Sequence, residues 1–438
     1  MLLRMRPHGG RTCTCVNAKL RTGGRNPLLP AKTCPFEDGE RSGAELPFPF
    51  LRMKHRILSC IFAAGMLASA ATVSAASDQF VYIGTYTNNK NARVESKGIY
   101  VFGLDSKTGK LEPLGVAAEV KSPSFLAMSP DKKFVYSVSE LAGASGGAIT
   151  AFSVDASSGK LTQMNQQATV GAGPCHVSVD PTGKAVLAAN YSGGSVISFP
   201  VKADGSLGEK GTFIQHTGAS NANPRRQKDP HAHSINVDKA GKFAFAADLG
   251  CDKVFIYKLD AAAGTLTPND PAFVEVPAAG GPRHFAFHPS GKFAYVCNEM
   301  TCTVTSFSYD ADKGALTVLD TISTLPPGVA VDPKFSTAET AVHPNGKFVY
   351  VSNRGHDTLA IFKVDPATGK LAYVENAPAG VNIPRNFGID PTGKWLISAG
   401  QSSSTIAVFS IDGETGKLKP TGQTFDVGAP VCVRFLQK

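Results

Sequence analysis

The chain has 438 residues, 42% of them hydrophobic, with 44 Gly, 29 Pro and a formal net charge of +9. That is enough apolar material for a large core, and the Gly/Pro content favours many short strands over long helices. Residues 1–75 hold 11 of the 44 Lys+Arg and 4 of the 35 Asp+Glu, so the remainder is close to neutral and carries no basic footprint for nucleic acid.

Residues 1–52 are rich in Arg, Pro, Gly and Cys and have no hydrophobic period. Met53 to Ala75 then shows the three parts of a secretory signal. Lys54, His55 and Arg56 form the positive start, Ile57 to Ala71 the apolar stretch, and Val73-Ser74-Ala75 a small-residue cleavage site. The apolar stretch is short for a membrane span. The expectation is a start at Met53, an upstream extension over 1–52, and cleavage that leaves Ala76 at the N-terminus. The mature protein is expected in the periplasm or secreted, as a monomer without membrane attachment.

From Phe80 onward one unit recurs. Its most regular part is a strand seen seven times, beginning at Phe80, Phe134, Ala185, Phe243, Phe293, Phe348 and Trp395, with spacings of 54, 51, 58, 50, 55 and 47 residues. Six copies follow a turn of one type, such as DPTGK at 180–184 and 390–394 or HPSGK at 288–292. An alternating strand and a Gly-Lys-Leu turn follow in most units, as in PATGKLAYV at 366–374. Four short strands per unit at this period are the grammar of a propeller blade. The first copy lacks a first strand, and Ala429 to Phe435 is a first strand with no hairpin partner after it. Joining the two completes a seventh blade and removes the exposed edges of an open array. The sequence predicts an all-β, seven-bladed β-propeller over residues 78–438, its ring closed by N- and C-terminal strands sharing one blade.

Aligning the units on their turns selects two rings of positions at one mouth of the central channel. On the first strands these are Ser124, Cys175, His233, Arg283, Ala338, Arg385 and Val431. Just after the second strands they are Tyr86, Glu140, Tyr191, Leu249, Glu299, Arg354 and Gln401. Packing explains a repeated Phe or Gly, but not three arginines, a histidine and two glutamates on one mouth. A solvated polar rim is the bland alternative. Arginines bind carboxylate or phosphate bidentately and stabilise oxyanion charge, and a glutamate or histidine can activate water. The cluster therefore suits attack on an ester-like carbonyl of an anionic substrate. No serine nucleophile of the nucleophile-elbow kind is expected, and without a GxGxxG or GxxxxGK[ST] motif neither is a nucleotide cofactor. His231 and His233 resemble a metal pair, but no third ligand stands at useful spacing, and no metal or other cofactor is expected. His176 and His284 lie one residue past the ring and are expected to point into their blades as structural histidines. The chain has nine cysteines. Cys297 and Cys302 flank one hairpin, and either a disulfide between them or two buried thiols fits the sequence.

These units, with DPHAHS (229–234), GPRHFAFHP (281–289), Asn298-Glu299 and SNRGHD (352–357), resemble the lactonase family of seven-bladed propellers. That family is typified by bacterial propeller-type 6-phosphogluconolactonase and a fungal carboxymuconate-cyclising enzyme. The likeness spans essentially the whole mature chain. It implies a lactonase, a carboxylic-ester hydrolase opening 6-phospho-D-glucono-1,5-lactone or a related small-molecule lactone. It also implies His233, Arg283, Glu299 and Arg354 as the catalytic group, with Glu299 or His233 assisting water and arginines anchoring the anion. The ring alignment adds Arg385, Glu140 and His231 as substrate-binding positions. Two other readings stay open: an exported, non-enzymatic propeller binding a protein or glycan, and an enzyme running the lactone chemistry as a cyclisation. A signal segment sits poorly with a phosphorylated intermediate, so an unphosphorylated sugar lactone or another anionic lactone is the preferred substrate.

Overall fold

The computed structural model describes residues 77–89, 92–141 and 147–438. The expected upstream extension and signal segment lie outside the described residues. Those described form seven four-stranded antiparallel sheets and no helix. Blades 1 to 6 begin with inner strands Leu126–Met128, Pro174–Val179, Ala232–Val237, Pro282–Phe287, Ser336–Val342 and Pro384–Ile389. Blade 7 takes its inner strand, Pro430–Gln437, from the end of the chain and pairs it with Gln79–Thr85, with Phe80 opposite Leu436 and Tyr82 opposite Arg434. Each inner strand packs on the next, and the strand of blade 6 packs on that of blade 7, which packs on that of blade 1. The predicted ring and its split blade are as read from the repeats.

The repeated turns work through their first residue. Asp180 Oδ1 accepts from the amides of Lys184 and Ala185, both at 2.7 Å, and its Oδ2 accepts from Thr182 N at 2.8 Å. Asp390 does the same for Thr392, Lys394 and Trp395. The following Gly183 and Gly393 have φ of 72° and 73°, a left-handed conformation in which a side chain is strained. Where histidine replaces aspartate, the ring also reaches the next blade: His343 Nε2 lies 2.7 Å from Gly393 O.

The repeated tyrosine has a similar cross-blade task. Tyr82, Tyr136, Tyr295 and Tyr350 are fully buried mid-strand and donate to the carbonyls of Gly159, Gly205, Gly369 and Gly416 in the neighbouring blade, at 2.7–3.0 Å. Three of these glycines belong to the recurrent Gly-Lys-Leu turns. At the closure Trp395 Nε1 donates to Ser106 O at 2.9 Å, tying blade 6 to blade 7. Two sequence motifs that look independent are thus the two halves of one inter-blade hydrogen bond.

Near the start of six inner strands the pairing register slips. The slip falls at Cys175, His233, Arg283-His284, Ala338-Glu339, Arg385 and Val431, where extra inner-strand residues face the second strand. Such β-bulges break side-chain alternation and re-aim the residues they contain. This corrects the expectation for His176 and His284. Both are buried, and their rings meet at 5.5 Å although they come from blades 2 and 4. The His284 ring also lies 5.3 Å from Phe125 of blade 1, across the channel. They fill the channel rather than the blades, because the bulges set aside the alternation on which the expectation rested.

Cys297 and Cys302 are free, buried thiols, so no disulfide joins them. Burial pushes each thiol up to about 11. Among the described residues no helix is long and apolar enough to cross a membrane.

Candidate active site

Glu299 directly follows the second strand of blade 4, Phe293–Asn298, and its amide donates to Gly281 O at 2.8 Å, beside the start of the inner strand that carries Arg283. Antiparallel pairing and the bulge bring the two side chains together, with Arg283 Nε 3.0 Å from Glu299 Oε2. Arg354 arrives from the same position in blade 5, its Nη2 3.1 Å from Glu299 Oε2 and 3.0 Å from Thr337 O. His233, on the bulge of blade 3, completes the group with Nε2 3.9 Å from Glu299 Oε2. The four residues expected to form the catalytic group therefore meet around one carboxylate.

A fourth partner has no counterpart in the repeat. Arg226 donates from Nη2 to Glu299 Oε1 at 2.9 Å and to Tyr191 OH at 2.8 Å. It rides on the loop before blade 3, inside the longest interval between repeats. That excess length was the available signal. The loop is pinned from beneath: buried Gln227 donates to Asp252 Oδ1 at 2.6 Å, and Asp252 also accepts from Gly281 N at 2.8 Å. Asp252 thus ties the Arg226 loop to the strand of Arg283.

The remaining expected residues occupy the same mouth. Tyr86 OH donates to Glu140 Oε2 at 2.9 Å, and the Arg385 guanidinium lies 5.5 Å from the Tyr86 ring. The His231 ring stacks on Tyr191 at 4.7 Å, with Nδ1 3.0 Å from Tyr191 O. Tyr191 also meets the His233 ring edge-on at 5.0 Å. Leu249, at the corresponding ring position of blade 3, is fully buried.

Burial alone would raise the Glu299 carboxyl, but the guanidinium groups of Arg354, Arg283 and Arg226 outweigh it and hold the group well below the usual carboxylate range. Burial, assisted by Arg283, His284 and Arg385, holds His233 well below the usual imidazole range, so its ring is neutral at pH 7. Burial also pushes Arg354 down to about 10, although Glu299 counters it, which leaves it cationic at neutral pH. The arginines differ in what they have left to give. Arg283 is 1% exposed and spans Glu299 and the Ala338 carbonyl, so it is committed to the protein. Arg385 makes no hydrogen bond among the described residues and stays half-buried at the mouth. Glu299, Arg354 and Arg226 also form one wall of a cleft of about 500 Å³, closed on its other side by residues 331–336. Among the described residues no cluster of three or more His, Cys, Asp or Glu side chains is arranged to hold a metal ion.

The fold and site together define a seven-bladed propeller with an arginine-bound carboxylate and a neutral histidine at one channel mouth. Residues 80–435 match the family described as lactonase, 7-bladed beta-propeller, and the chain belongs to that family. A 6-phosphogluconolactonase of Bacillus subtilis is 37% identical over 359 residues, covering 82% of this chain and 98% of the relative. The structure of a periplasmic gluconolactonase of Pseudomonas aeruginosa is 35% identical, with a TM-score of 0.75 and coverage of 82% and 99%. A putative 6-phosphogluconolactonase structure from Bacteroides fragilis is 36% identical, with a TM-score of 0.75 and coverage of 82% and 98%.

Proposed function

We propose that this protein hydrolyses a six-membered sugar lactone to the corresponding aldonic acid. The observation that carries the reading is the placement of Glu299, held on both oxygens by guanidinium groups with His233 Nε2 at 3.9 Å from Oε2. That gap is too long for a direct hydrogen bond, yet one water oxygen can hydrogen-bond both groups across it. Glu299, strongly paired, is a weak base and serves to orient the water. His233, neutral at pH 7, takes its proton at Nε2 as the water oxygen attacks the carbonyl carbon. The resulting oxyanion faces Arg385, the guanidinium with hydrogen bonds to spare. Collapse breaks the bond to the ring oxygen, which takes the proton back from His233, and the product acid ionises to solvent. A histidine held below its ordinary range is a modest base but a strong acid, which suits release of the alkoxide.

Four guanidinium groups (Arg226, Arg283, Arg354, Arg385) stand against two carboxylates (Glu140, Glu299) at the mouth. The surplus positive charge favours both the oxyanion and an acidic product. The names of the Bacillus and Pseudomonas relatives support hydrolysis over cyclisation and over a non-enzymatic binding role. We place the mature protein outside the cytoplasm, with gluconolactone rather than its 6-phosphate as substrate. The signal-like run over 53–75 and the periplasmic Pseudomonas relative support this. The deciding experiment is a pH-stat comparison of D-glucono-1,5-lactone and its 6-phosphate, with spontaneous opening subtracted. Acceleration of the unphosphorylated lactone is expected. Acceleration of the phosphate ester alone would overturn the substrate assignment, and acceleration of neither would overturn the activity.

A further inference from the structure

The two oxygens of Glu299 are unequally occupied. Oε2 takes Arg283 Nε at 3.0 Å and Arg354 Nη2 at 3.1 Å, and it faces His233 Nε2 at 3.9 Å. Oε1 takes only Arg226 Nη2, at 2.9 Å. A carboxylate oxygen can accept two hydrogen bonds, so Oε1 keeps one place open. Glu299 stays ionised across the neutral range, because the guanidinium groups of Arg354, Arg283 and Arg226 outweigh its burial.

Arg226 Nη2 has a second acceptor, the Tyr191 hydroxyl at 2.8 Å. Tyr191 follows the second strand of blade 2, Ala185–Asn190, and its amide donates to Gly173 O at 2.8 Å. Its ring stacks on His231 and meets the His233 ring edge-on at 5.0 Å, which fixes the phenol beside the proposed base. Accepting from Arg226 uses a lone pair of that hydroxyl and leaves its proton, which has no acceptor among the described residues. These groups are within reach of a ligand: Tyr191 is half-buried, the Arg226 side chain is 41% exposed, and Glu299 lines the adjoining cleft. One guanidinium nitrogen thus sets an unspent donor, the Tyr191 O–H, beside an unspent acceptor, Glu299 Oε1.

The carbonyl carbon of a sugar lactone has three neighbours: the carbonyl oxygen, the ring oxygen and the next ring carbon, C2. Both oxygens only accept hydrogen bonds. A hydroxyl on C2 donates and accepts, which is what a donor and an acceptor held side by side can satisfy together. The placement agrees with the chemistry. C2 adjoins the carbon attacked by water at Oε2, as Oε1 adjoins Oε2 in the same carboxylate.

We propose that Tyr191 is a specificity-determining residue: with Glu299 Oε1 it binds the hydroxyl on the carbon next to the lactone carbonyl, and Arg226 holds the pair in register. The substrate class narrows to 2-hydroxy-1,5-lactones. This assignment rests on the proposed hydrolysis and deepens it. A site built to pair a substrate hydroxyl rejects the analogue that lacks it, because its own polar groups are then left unpaired.

The test compares kcat/KM for D-glucono-1,5-lactone and its 2-deoxy analogue, with spontaneous opening subtracted, in wild type and Tyr191→Phe. Phenylalanine keeps the ring against both histidines and removes only the hydroxyl. Wild type should prefer the 2-hydroxy lactone by at least about tenfold, and Tyr191→Phe should reduce that preference to less than about threefold. Arg226→Ala, which releases the pair from register, should narrow the preference as well and serves as the second variant if Tyr191→Phe does not fold. Two results would overturn the assignment. One is equal opening of both lactones by wild type. The other is a preference unchanged in the variants while both rates fall in proportion, as a purely structural role would give. If wild type accelerated neither lactone, the proposed hydrolysis would fall and this assignment with it.

Discussion

Replacing Glu299 by glutamine keeps the side chain's shape and removes its charge, which isolates what that charge does. Two of its three guanidinium partners have nowhere else to go, since the side chains of Arg283 and Arg354 are 2% and 12% exposed. Removing one member of a buried ion pair costs about 3–5 kcal/mol, because the remaining charge stays desolvated. Arg226, with 41% of its side chain exposed, adds at most about 1 kcal/mol. Unfolding entropy is roughly 2.1 cal/mol/K per residue. For a propeller of about 360 residues, Tm should therefore fall by about 4–8 °C at pH 7. The pH dependence gives the sharper check. The folded-state pKa of Glu299 is depressed below its ordinary 4.5, so its stabilisation is complete above pH 4.5 and is lost as pH falls. The gap between wild type and Glu299→Gln should shrink by about 1.4 kcal/mol per pH unit below that point. By pH 3 about 2 kcal/mol of it should be gone. Denaturant titrations at pH 7, 5, 4 and 3 read this directly. A gap that is absent at pH 7, or unchanged at pH 3, would refute the account of Glu299 as a carboxylate clamped by buried guanidinium groups.

Because His233 is held well below 6.5, its neutral form persists into mild acid, and the acid limb of kcat/KM for lactone opening should lie below pH 6.5. His233→Gln should lower kcat by about 10²–10⁴ and flatten that limb; an unchanged profile would remove His233 from the proton transfer. Arg385→Ala should lower kcat by about 10²–10³ with the fold intact, as expected for loss of an oxyanion partner, and a wild-type rate would exclude it. Tyr350→Phe should cost about 0.5–1.5 kcal/mol through the lost bond to Gly416 O, leaving lactone kinetics unchanged. Edman sequencing of the native protein should begin at Ala76, whereas peptides from residues 1–52 would contradict the proposed start and processing.

The architecture was legible because each blade restates the same local physics. Asp or His opens a turn, Gly turns it, an aromatic strand follows, and a Gly-Lys-Leu turn supplies the carbonyl that the preceding blade's tyrosine seeks. Seven near-copies average out the ambiguity of any one of them. The split blade was legible for the same reason, since a half-unit at each end has only one way to be completed. The site was partly legible, because Glu299, Arg283, Arg354 and His233 stand at equivalent places in a frame that otherwise repeats. Where the reading failed, it failed at features that do not repeat or that break strand geometry. Arg226 belongs to one inserted loop, and no alignment of blades could weigh it. His284 was assigned to the blade by strict alternation, which holds for the pleated part of a strand and not for its bulge.

Those bulges also explain why chemistry gathers at this mouth. A regular inner strand would send Arg283 and His284 to opposite faces. The extra residue lets one reach Glu299 above while the other turns to Glu339 below. Because the slip recurs near the start of six inner strands, the frame supplies a ring of irregular positions around the channel. The fold thereby separates its two parts: the regular parts of the blades hold the ring closed, and the slipped residues supply Arg283 and His233 to the group around Glu299.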